Sequence, residues 1–342
     1  MALEKSSLDF DNISDLLWNN YDIRVDSVEK LKLGTANCFR VSAEDKHYFL
    51  KEFQSGFEIC DLVREAALVN YLYEKHIPVA RFIYTNEDKE YVVYNERLIC
   101  LQEYIVGTTY GYNNFPSKLL KESAVMLAKL HNALHNYLLP TDMGEDWLDS
   151  FSSRSLADQY DKLLSIAKSK SDDINCARII ADLEYKKKLA TRCEYYKTFY
   201  EGITYSPTHG DYQGCQIICG ENDIRAVIDF SSARNLPIIW EIMRAYIQSS
   251  KSRENAKVDI CELCEYVEEY MKYAPLTKKD LASMPYVYLF QLARSKYGYP
   301  QYLSTDSEDR EGLLRFAFWR TDICRELEKN AQTISEALLK LE

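Results

Sequence analysis

The sequence has no apolar run long enough to cross a membrane, and neither an internal repeat nor a low-complexity linker interrupts it. It also has no leading segment with the pattern of a secretory signal peptide. Its 10 cysteines are scattered and do not form the dense framework of a disulfide-stapled domain. We therefore expect a cytoplasmic protein with reduced thiols that does not act at a membrane.

An excess of positive charge is also absent. The 42 basic residues are outnumbered by 53 acidic ones, which gives a net charge of −11. This balance disfavours nonspecific binding to nucleic acid or to an anionic membrane. It would suit a cationic small molecule, although many proteins are acidic only for solubility. With 342 residues, of which 46% are hydrophobic, the chain can bury two cores.

The most informative stretch places two carboxylates on either side of a predicted hairpin. Asp211 lies in a polar loop, and the apolar run 217–219, the turn 220–223 and the strand 224–228 lead to Asp229. We therefore expect the two aspartates at the same end of the hairpin. Carboxylates this close repel each other unless a cation lies between them, and a hard divalent ion with nucleotide phosphates is the usual solution.

The stretch resembles the aminoglycoside phosphotransferase and choline kinase-like superfamily of small-molecule kinases, whose catalytic loop reads His-Gly-Asp, four residues, then Asn. Here His209-Gly210-Asp211 is followed by Gln216 at the Asn position. The resemblance implies Asp211 as the catalytic base and Gln216 and Asp229 as Mg²⁺ ligands. It further implies ATP or GTP as phosphoryl donor and a small-molecule hydroxyl as acceptor, on an aminoglycoside-, choline- or homoserine-like compound.

The same resemblance implies an α+β, two-lobed protein-kinase-like fold. Residues 1–106 would form the N-lobe, with an antiparallel sheet and a helix, and 107–342 a helical C-lobe that carries the catalytic loop and substrate-binding insertions. Alternating residues predict strands over 28–32, 38–43 and 47–53. Lys51 lies in the third strand, from which the kinase lysine reaches the nucleotide phosphates. The turn Gly34–Asn37 has a single glycine, so the sequence signal for a phosphate cradle is weak.

A helix is predicted over Glu58 to His76, because apolar residues recur there at helical spacing. Glu65 borders the apolar face and is expected to pair with Lys51, as in the kinase lysine–glutamate pair. Glu58 borders the same face and is the alternative partner. The predicted apolar face consists of Ile59, Leu62, Val63, Ala66, Val69 and Tyr73.

Two further strands are predicted over 91–94 and 98–105, joined by a polar connection. In the family the second of these strands becomes the hinge between the lobes, whose backbone reads the edge of the purine. The resemblance places Glu103, Tyr104 and Ile105 there, with an uncertainty of two or three positions.

The rest of the chain is predicted to be mainly helical. A helix over 119–134 contains His131, which we interpret as a packing histidine, and inserted helices are expected within 141–206. Glu241 resembles the acidic start of the family's helix behind the metal site. Three prolines, Pro275, Pro285 and Pro300, are expected to punctuate the last helices, and Thr109 to Tyr112 could line a substrate pocket.

Gln216 and the glycine-poor first turn leave a second hypothesis open. The amide of Gln extends one methylene further than that of Asn, and a misplacement of about 1 Å can cost roughly a hundredfold in rate. A nucleotide-binding pseudokinase or regulatory protein with little turnover is therefore the alternative to an active kinase.

Overall fold

The computed structural model describes residues 4–31, 36–111, 114–139, 148, 151–304 and 309–341. Contacts within the chain group its residues into two units, Met1–Thr109 with Gln216–Ser232 and Tyr110–Cys215 with Ala233–Glu342. The first unit is built on an antiparallel sheet, and the second is mainly helical. This is the α+β organisation of a protein-kinase-like fold that the sequence predicted.

The described residues form ten strands, whose bounds are β1 Ser27–Leu31, β2 Asn37–Ala43, β3 Lys46–Glu52, β4 Phe82–Ile83, β5 Val92–Tyr94, β6 Arg97–Glu103, β7 Tyr205–Thr208, β8 Ile217–Cys219, β9 Ile224–Val227 and β10 Arg234–Pro237. The sheet of the first unit has the order β1-β2-β3-β6-β4, and β5 pairs with β6. The three alternating segments predicted near the N-terminus are confirmed as β1 to β3.

The described residues also form twelve α-helices, whose bounds are α1 Phe10–Tyr21, α2 Ile59–Glu74, α3 Leu120–Leu134, α4 Ser153–Ser169, α5 Cys176–Ala190, α6 Cys193–Lys197, α7 Ile238–Ser249, α8 Ser252–Asn255, α9 Ile260–Met271, α10 Lys278–Arg294, α11 Tyr299–Ser304 and α12 Arg310–Leu338. Helices α4 to α6 confirm that the segment 141–206 contains helices, and their role as an insertion stays a prediction. Pro285 lies inside α10 and does not end it, so the prediction that this proline punctuates the helix was wrong.

Helix α1, which was not predicted, covers one face of the sheet in the first unit. Asp9 caps its start by accepting a hydrogen bond from the N–H of Asn12 at 2.9 Å. Its apolar residues recur at helical spacing and share a core with side chains from β2, β3 and β6. That core consists of Leu8, Ile13, Leu16, Leu17, Tyr21, Phe39, Val41, Leu50, Ile99 and Leu101.

The hairpin β8–β9 belongs to the first unit although it lies far along the chain. The N–H of Thr108 donates to the carbonyl of Cys219, and the N–H of Cys219 donates back to Thr108, each at 2.9 Å. The two backbones approach so closely that a Cβ on Gly107 would lie 2.5 Å from a side-chain carbon of Ile218. A glycine is therefore needed at this position to let the hairpin join the segment that follows β6.

The second unit is a helical body with one small sheet. Strands β7 and β10 pair antiparallel, with Thr208 opposite Arg234. These two strands were not predicted, and along the chain they bracket the loop that contains Asp211 and the hairpin β8–β9. Helix α10 packs against both α7 and α12. Among the described residues, no helix is both long enough and apolar enough to cross a membrane.

Candidate active site

Lys51 and Asp229 form an ion pair in the first unit. Lys51 follows the buried Leu50 on β3, so its side chain points to the sheet face opposite the α1 core. The Nζ of Lys51 lies 3.4 Å from Oδ1 of Asp229, and the hydroxyl of Ser231 donates to the same oxygen at 2.9 Å. The Asp229 side chain is 36% exposed, so its carboxylate is within reach of a ligand.

Glu65 lies behind this pair, in the middle of α2. It is 4% exposed, and its Oε1 accepts a hydrogen bond from the N–H of Phe230 at 3.0 Å. Glu65 therefore fixes the backbone next to Asp229. The direct ion pair that Lys51 makes in the described residues is with Asp229, and Glu65 acts on Lys51 through its charge from further away.

Burial and the charges of Glu65 and Asp229 determine the protonation state of Lys51. Burial by itself would lower the pKa of Lys51, but the negative charges of Glu65 and Asp229 raise it above its usual value. Burial raises the pKa of Glu65, and the charge of Lys51 opposes that rise. Because its pKa is raised, Lys51 carries its positive charge at neutral pH.

The backbone at Asp229 adopts an unusual conformation. Its φ of 64° lies in the left-handed region, which few residues other than glycine occupy. Such a conformation costs free energy and persists where the surroundings impose it. Here the hydrogen bond from Phe230 to Glu65 holds the next residue. This strained residue carries the carboxylate that pairs with Lys51.

Gln216 lies near Asp229, because Gln216 precedes β8 and Asp229 follows β9 at the same, open end of the hairpin. Its Nε2 is 3.5 Å from Oδ2 of Asp229, so the amide must turn to present its oxygen to a metal. A carboxylate and an amide oxygen are ligands that Mg²⁺ accepts, and it commonly takes only one or two protein ligands beside phosphates. The residues present thus fit a Mg²⁺ ion that arrives with a nucleotide.

No cluster of three or more His, Cys, Asp and Glu residues in the described ranges could hold a metal by itself. The Cys261–Cys264 spacing falls on α9, where Cys261 is exposed and Cys264 half-buried.

The buried face of α2 differs from the predicted one. Ile59, Val63 and Tyr73 were placed on the apolar face but are 45%, 37% and 49% exposed. The buried residues are Leu62, Glu65, Ala66, Leu68, Val69 and Leu72. The buried face therefore includes the charged Glu65, and it is rotated about the helix axis relative to the predicted face. Glu58, the alternative partner of Lys51, is exposed at the start of the helix.

Glu103 is the last residue of β6, and its groups are already engaged. Its side chain pairs with the guanidinium of Arg81, and its N–H donates to the carbonyl of Arg81 at 2.8 Å. That N–H is therefore not available to a purine. Tyr104 and Ile105 follow the end of the strand. The hinge role assigned to Glu103, Tyr104 and Ile105 stays a prediction.

Asp211 lies in the second unit, in the loop after β7. Gly210 takes a φ of 81°, and the N–H of Asp211 donates to Nδ1 of the buried His209 at 3.2 Å. The carboxylate of Asp211 accepts a hydrogen bond from Nε2 of Gln213 at 3.0 Å and forms a close ion pair with Arg244 of α7. Its side chain is 30% exposed. The loop thus presents a positioned, accessible carboxylate.

Glu241 holds the backbone of this loop. It is fully buried and accepts hydrogen bonds from the N–H groups of His209 at 2.9 Å and Gly210 at 2.6 Å. Its Oε2 also lies 2.9 Å from Nε2 of His131, whose Nδ1 lies 2.8 Å from the hydroxyl of Tyr270. Both ring nitrogens of His131 therefore have a partner. The predicted packing role of His131 is therefore confirmed, and Glu241 is a positioning residue.

Arg244 was not identified from the sequence as part of the site. A single arginine on an apolar helix carries no motif that marks it. The phosphate turn at Gly34 and Thr35 and the pocket residue Tyr112 lie outside the described residues. Because Asp211 and Asp229 belong to different units, their predicted proximity also stays a prediction.

Three solved structures of kinases resemble the chain over most of its length. A spectinomycin phosphotransferase in complex with ADP and spectinomycin is 18% identical, with a TM-score of 0.60, and the match covers 98% of this chain and 100% of that one. An aminoglycoside phosphotransferase from Alicyclobacillus acidocaldarius is 14% identical, with a TM-score of 0.66 and coverages of 97% and 98%. An amicoumacin kinase with AMP-PNP and Ca²⁺ is 13% identical, with a TM-score of 0.61 and coverages of 93% and 94%.

At these identities the three likenesses show a shared fold. No match was found among curated proteins. The family model described as the phosphotransferase enzyme family matches residues 27–272, a span that contains Lys51, Glu65, Asp211 and Asp229. This span is more than half of the 342 residues. The chain therefore belongs to the phosphotransferase enzyme family.

Proposed function

We propose that this phosphotransferase moves the γ-phosphoryl group of ATP or GTP to a hydroxyl group of a small molecule. The observation that carries the proposal is the ion pair of Lys51 and Asp229, supported from behind by the buried Glu65. Solved structures of the same fold hold ADP, or AMP-PNP with Ca²⁺, which supports a nucleotide donor and a divalent metal.

The nucleotide end of the reaction falls to the first unit. Lys51 stays charged and would bind the phosphates, and Glu65 keeps it so. Asp229 and Gln216 would hold Mg²⁺, which when bound neutralises charge on the phosphates. Tyr104 and Ile105, after the end of β6, would offer their backbone to the purine.

The acceptor end of the reaction falls to the second unit. Asp211 would accept a hydrogen bond from the acceptor hydroxyl, orient it, and take its proton as the phosphoryl group transfers. Glu241 keeps the loop in place through the N–H groups of His209 and Gly210. Catalysis would rest on in-line positioning and charge neutralisation, and no covalent enzyme intermediate is expected.

A pseudokinase is the second candidate, and one observation favours it. The amide of Gln216 turns its nitrogen towards Asp229 at 3.5 Å, which is not the orientation of a metal ligand. A protein that binds nucleotide but turns it over slowly would tolerate this orientation. The two candidates differ in turnover and not in nucleotide binding.

The test combines binding with transfer. Thermal unfolding is measured with ATP, GTP and Mg²⁺, separately and together, and transfer of labelled γ-phosphoryl is measured with a panel of hydroxyl compounds. We expect stabilisation that needs both nucleotide and Mg²⁺, together with transfer to at least one acceptor. Stabilisation without transfer or hydrolysis would favour the pseudokinase, and no response to any nucleotide would contradict both candidates.

A further inference from the structure

The second unit gathers arginines from four helices. Arg244 lies on α7, Arg253 on α8, Arg294 at the end of α10 and Arg320 on α12. Helix α10 packs against both α7 and α12, and the guanidinium groups of Arg253 and Arg320 lie 5.0 and 5.5 Å from the ring centre of the same residue, Phe316. Burial raises the pKa of Tyr288 on α10, and the positive charges of Arg244, Arg320 and Arg253 oppose that rise. These groups form a cationic cluster around one tyrosine.

The arginines act against one another. Burial lowers the pKa of Arg320, and the positive charge of Arg244 lowers it further. Burial lowers the pKa of Arg294 to about 10, and Arg320 contributes to that shift. Enclosed arginines are normally paired with acids, since an uncompensated charge away from water costs free energy. Arg320 therefore carries its charge at a cost in free energy, because burial and the charge of Arg244 both disfavour it.

Arg320 illustrates the absence of a counter-charge. No carboxylate in the described part of the chain forms an ion pair with it, and its guanidinium lies 5.5 Å from the ring centre of Phe316. Arg325, five residues later on the same helix, lies 2.6 Å from Asp182 and 2.8 Å from Asp322. The same helix thus pairs one arginine with two acids and leaves the other beside further arginines.

Tyr288 supplies a second, independent observation. Its side chain is 1% exposed, and its hydroxyl has no hydrogen-bond partner among the described residues. Buried hydroxyl groups usually have a partner, because leaving one unsatisfied costs about 1–3 kcal/mol. An oxyanion placed here would accept from the hydroxyl and from the guanidinium groups together.

Arg244 connects the cluster to the chemistry. Its guanidinium pairs with the carboxylate of Asp211, the proposed base. We infer that the hydroxyl acceptor is an anion whose carboxylate or phosphate group binds between Arg320, Arg244 and Tyr288 while its hydroxyl lies at Asp211. This inference rests on the proposed function and names its substrate class. It opposes the expectation of a cationic acceptor that the net charge of −11 suggested.

The experiment compares matched compounds and matched variants of the full chain. Glycerate is compared with glycerol, gluconate with glucose, and glucose 6-phosphate with glucose, and choline represents cations. Binding is followed by thermal shift with Mg²⁺ and AMP-PNP at saturation, so that Lys51 is occupied. Transfer from ATP and GTP is measured with the same compounds. Glycerate and gluconate test for recognition of a carboxylate, and glucose 6-phosphate tests for recognition of a phosphate.

The variants are Arg320→Gln and Tyr288→Phe, with Arg315→Gln as the control, since Arg315 is exposed on the same helix. We expect an anionic compound to stabilise the wild type and Arg315→Gln. For Arg320→Gln, the concentration of the anionic compound that gives the same stabilisation should rise by about tenfold or more, since charge-assisted hydrogen bonds are lost. For Tyr288→Phe it should rise by only a few-fold. In the transfer assay the same factors should appear in the KM of the acceptor, with the KM of the nucleotide unchanged.

Without any anion, Arg320→Gln and Tyr288→Phe should unfold at the same temperature as the wild type or higher, because each removes an uncompensated polar group. A purely structural role would instead lower the unfolding temperature. The inference is overturned if no anion stabilises the wild type, if Arg320→Gln responds like the wild type, or if only neutral or cationic compounds accept the phosphoryl group. The last result would leave the proposed function standing, whereas a lack of Mg²⁺-dependent nucleotide binding would contradict the proposed function itself.

Discussion

The two units carry opposite local charge. In the first unit, Lys51 is accompanied by two carboxylates, Glu65 and Asp229. In the second, Arg320 and Arg244 lie in a cluster of cations in which Asp211 pairs with Arg244. An excess of negative charge favours a metal cation, and an excess of positive charge favours an anion. The net charge of −11 therefore does not predict the charge of the ligand that either group of residues favours, since that charge depends on a few neighbouring side chains.

Removing the base from the second unit should give the largest effect. Asp211→Asn keeps the size of the side chain but cannot accept the proton, so we expect kcat to fall by about 10²–10⁴-fold. The KM of the nucleotide should not change, because Lys51, Glu65 and Asp229 are intact. Steady-state kinetics test this, with the exposed Asp158→Asn as a control that should behave as the wild type. Full activity of Asp211→Asn would remove the base from the account.

Removing the cation from the first unit should have the next largest effect. Lys51→Met leaves two carboxylates without their counter-charge, so we expect the KM of the nucleotide to rise by roughly tenfold or more. Glu65→Gln should show a milder form of the same defect, because Glu65 acts on Lys51 without a direct ion pair. Glu58→Gln is the matched control on the same helix. If Glu58→Gln raises the KM and Glu65→Gln does not, Glu65 was wrongly chosen.

Glu241 should affect the second unit in two ways, by positioning the loop that contains Asp211 and by making the stability of the protein depend on pH. Burial raises its pKa, but the hydrogen bond and charge of His131 and the N–H of His209 outweigh this and hold the pKa below the usual value. The stability from the ionised Glu241 is therefore present above the unfolded pKa of about 4.5. It is lost as the pH falls through the lower folded value.

Glu241→Gln keeps an acceptor but not the charge, and we expect kcat to fall by about tenfold. The loss of unfolding free energy below pH about 4.5 should be smaller in the variant than in the wild type. Urea unfolding at several pH values measures this difference. If the unfolding free energy falls in the same way at acid pH in both proteins, Glu241 is not ionised in the folded state.

Gln216 should give the smallest effect. If its amide turns to present oxygen, Gln216→Asn should keep the Mg²⁺ dependence of ATP binding within about threefold, and Gln216→Ala should weaken it by about tenfold. Titration of Mg²⁺ against ATP binding decides this. Three identical curves would exclude Gln216 from the metal site and strengthen the pseudokinase hypothesis.

The elements that carry motifs could be predicted from the sequence. Strands β1 to β3 alternate, and β8 and β9 flank polar turn residues, so their existence follows from local pattern. Asp229 was found because it follows such a strand. Helix α1 was missed although the cap at Asp9 and the helical spacing of its apolar residues are local signals. The pair β7–β10 was missed because it joins segments that are far apart in sequence.

The face of α2 and the cationic cluster show what local sequence cannot provide. A hydrophobicity pattern places Glu65 at the border of a helix, whereas the structure buries it because Phe230 and Lys51 compensate its charge. Arg244 and Arg320 are 76 residues apart in sequence, and only the packing of α10 against α7 and α12 relates them. Compensation between distant groups is not visible in either segment alone.

The most direct test of the division between the units is the affinity for nucleotide with and without Mg²⁺. It is measured by titration calorimetry on the wild type, Asp211→Asn and Asp229→Asn. The account predicts that Asp211→Asn binds Mg²⁺–nucleotide as the wild type does, while Asp229→Asn loses the Mg²⁺-dependent part of the affinity. It is contradicted if Asp229→Asn keeps that dependence, or if Asp211→Asn loses it.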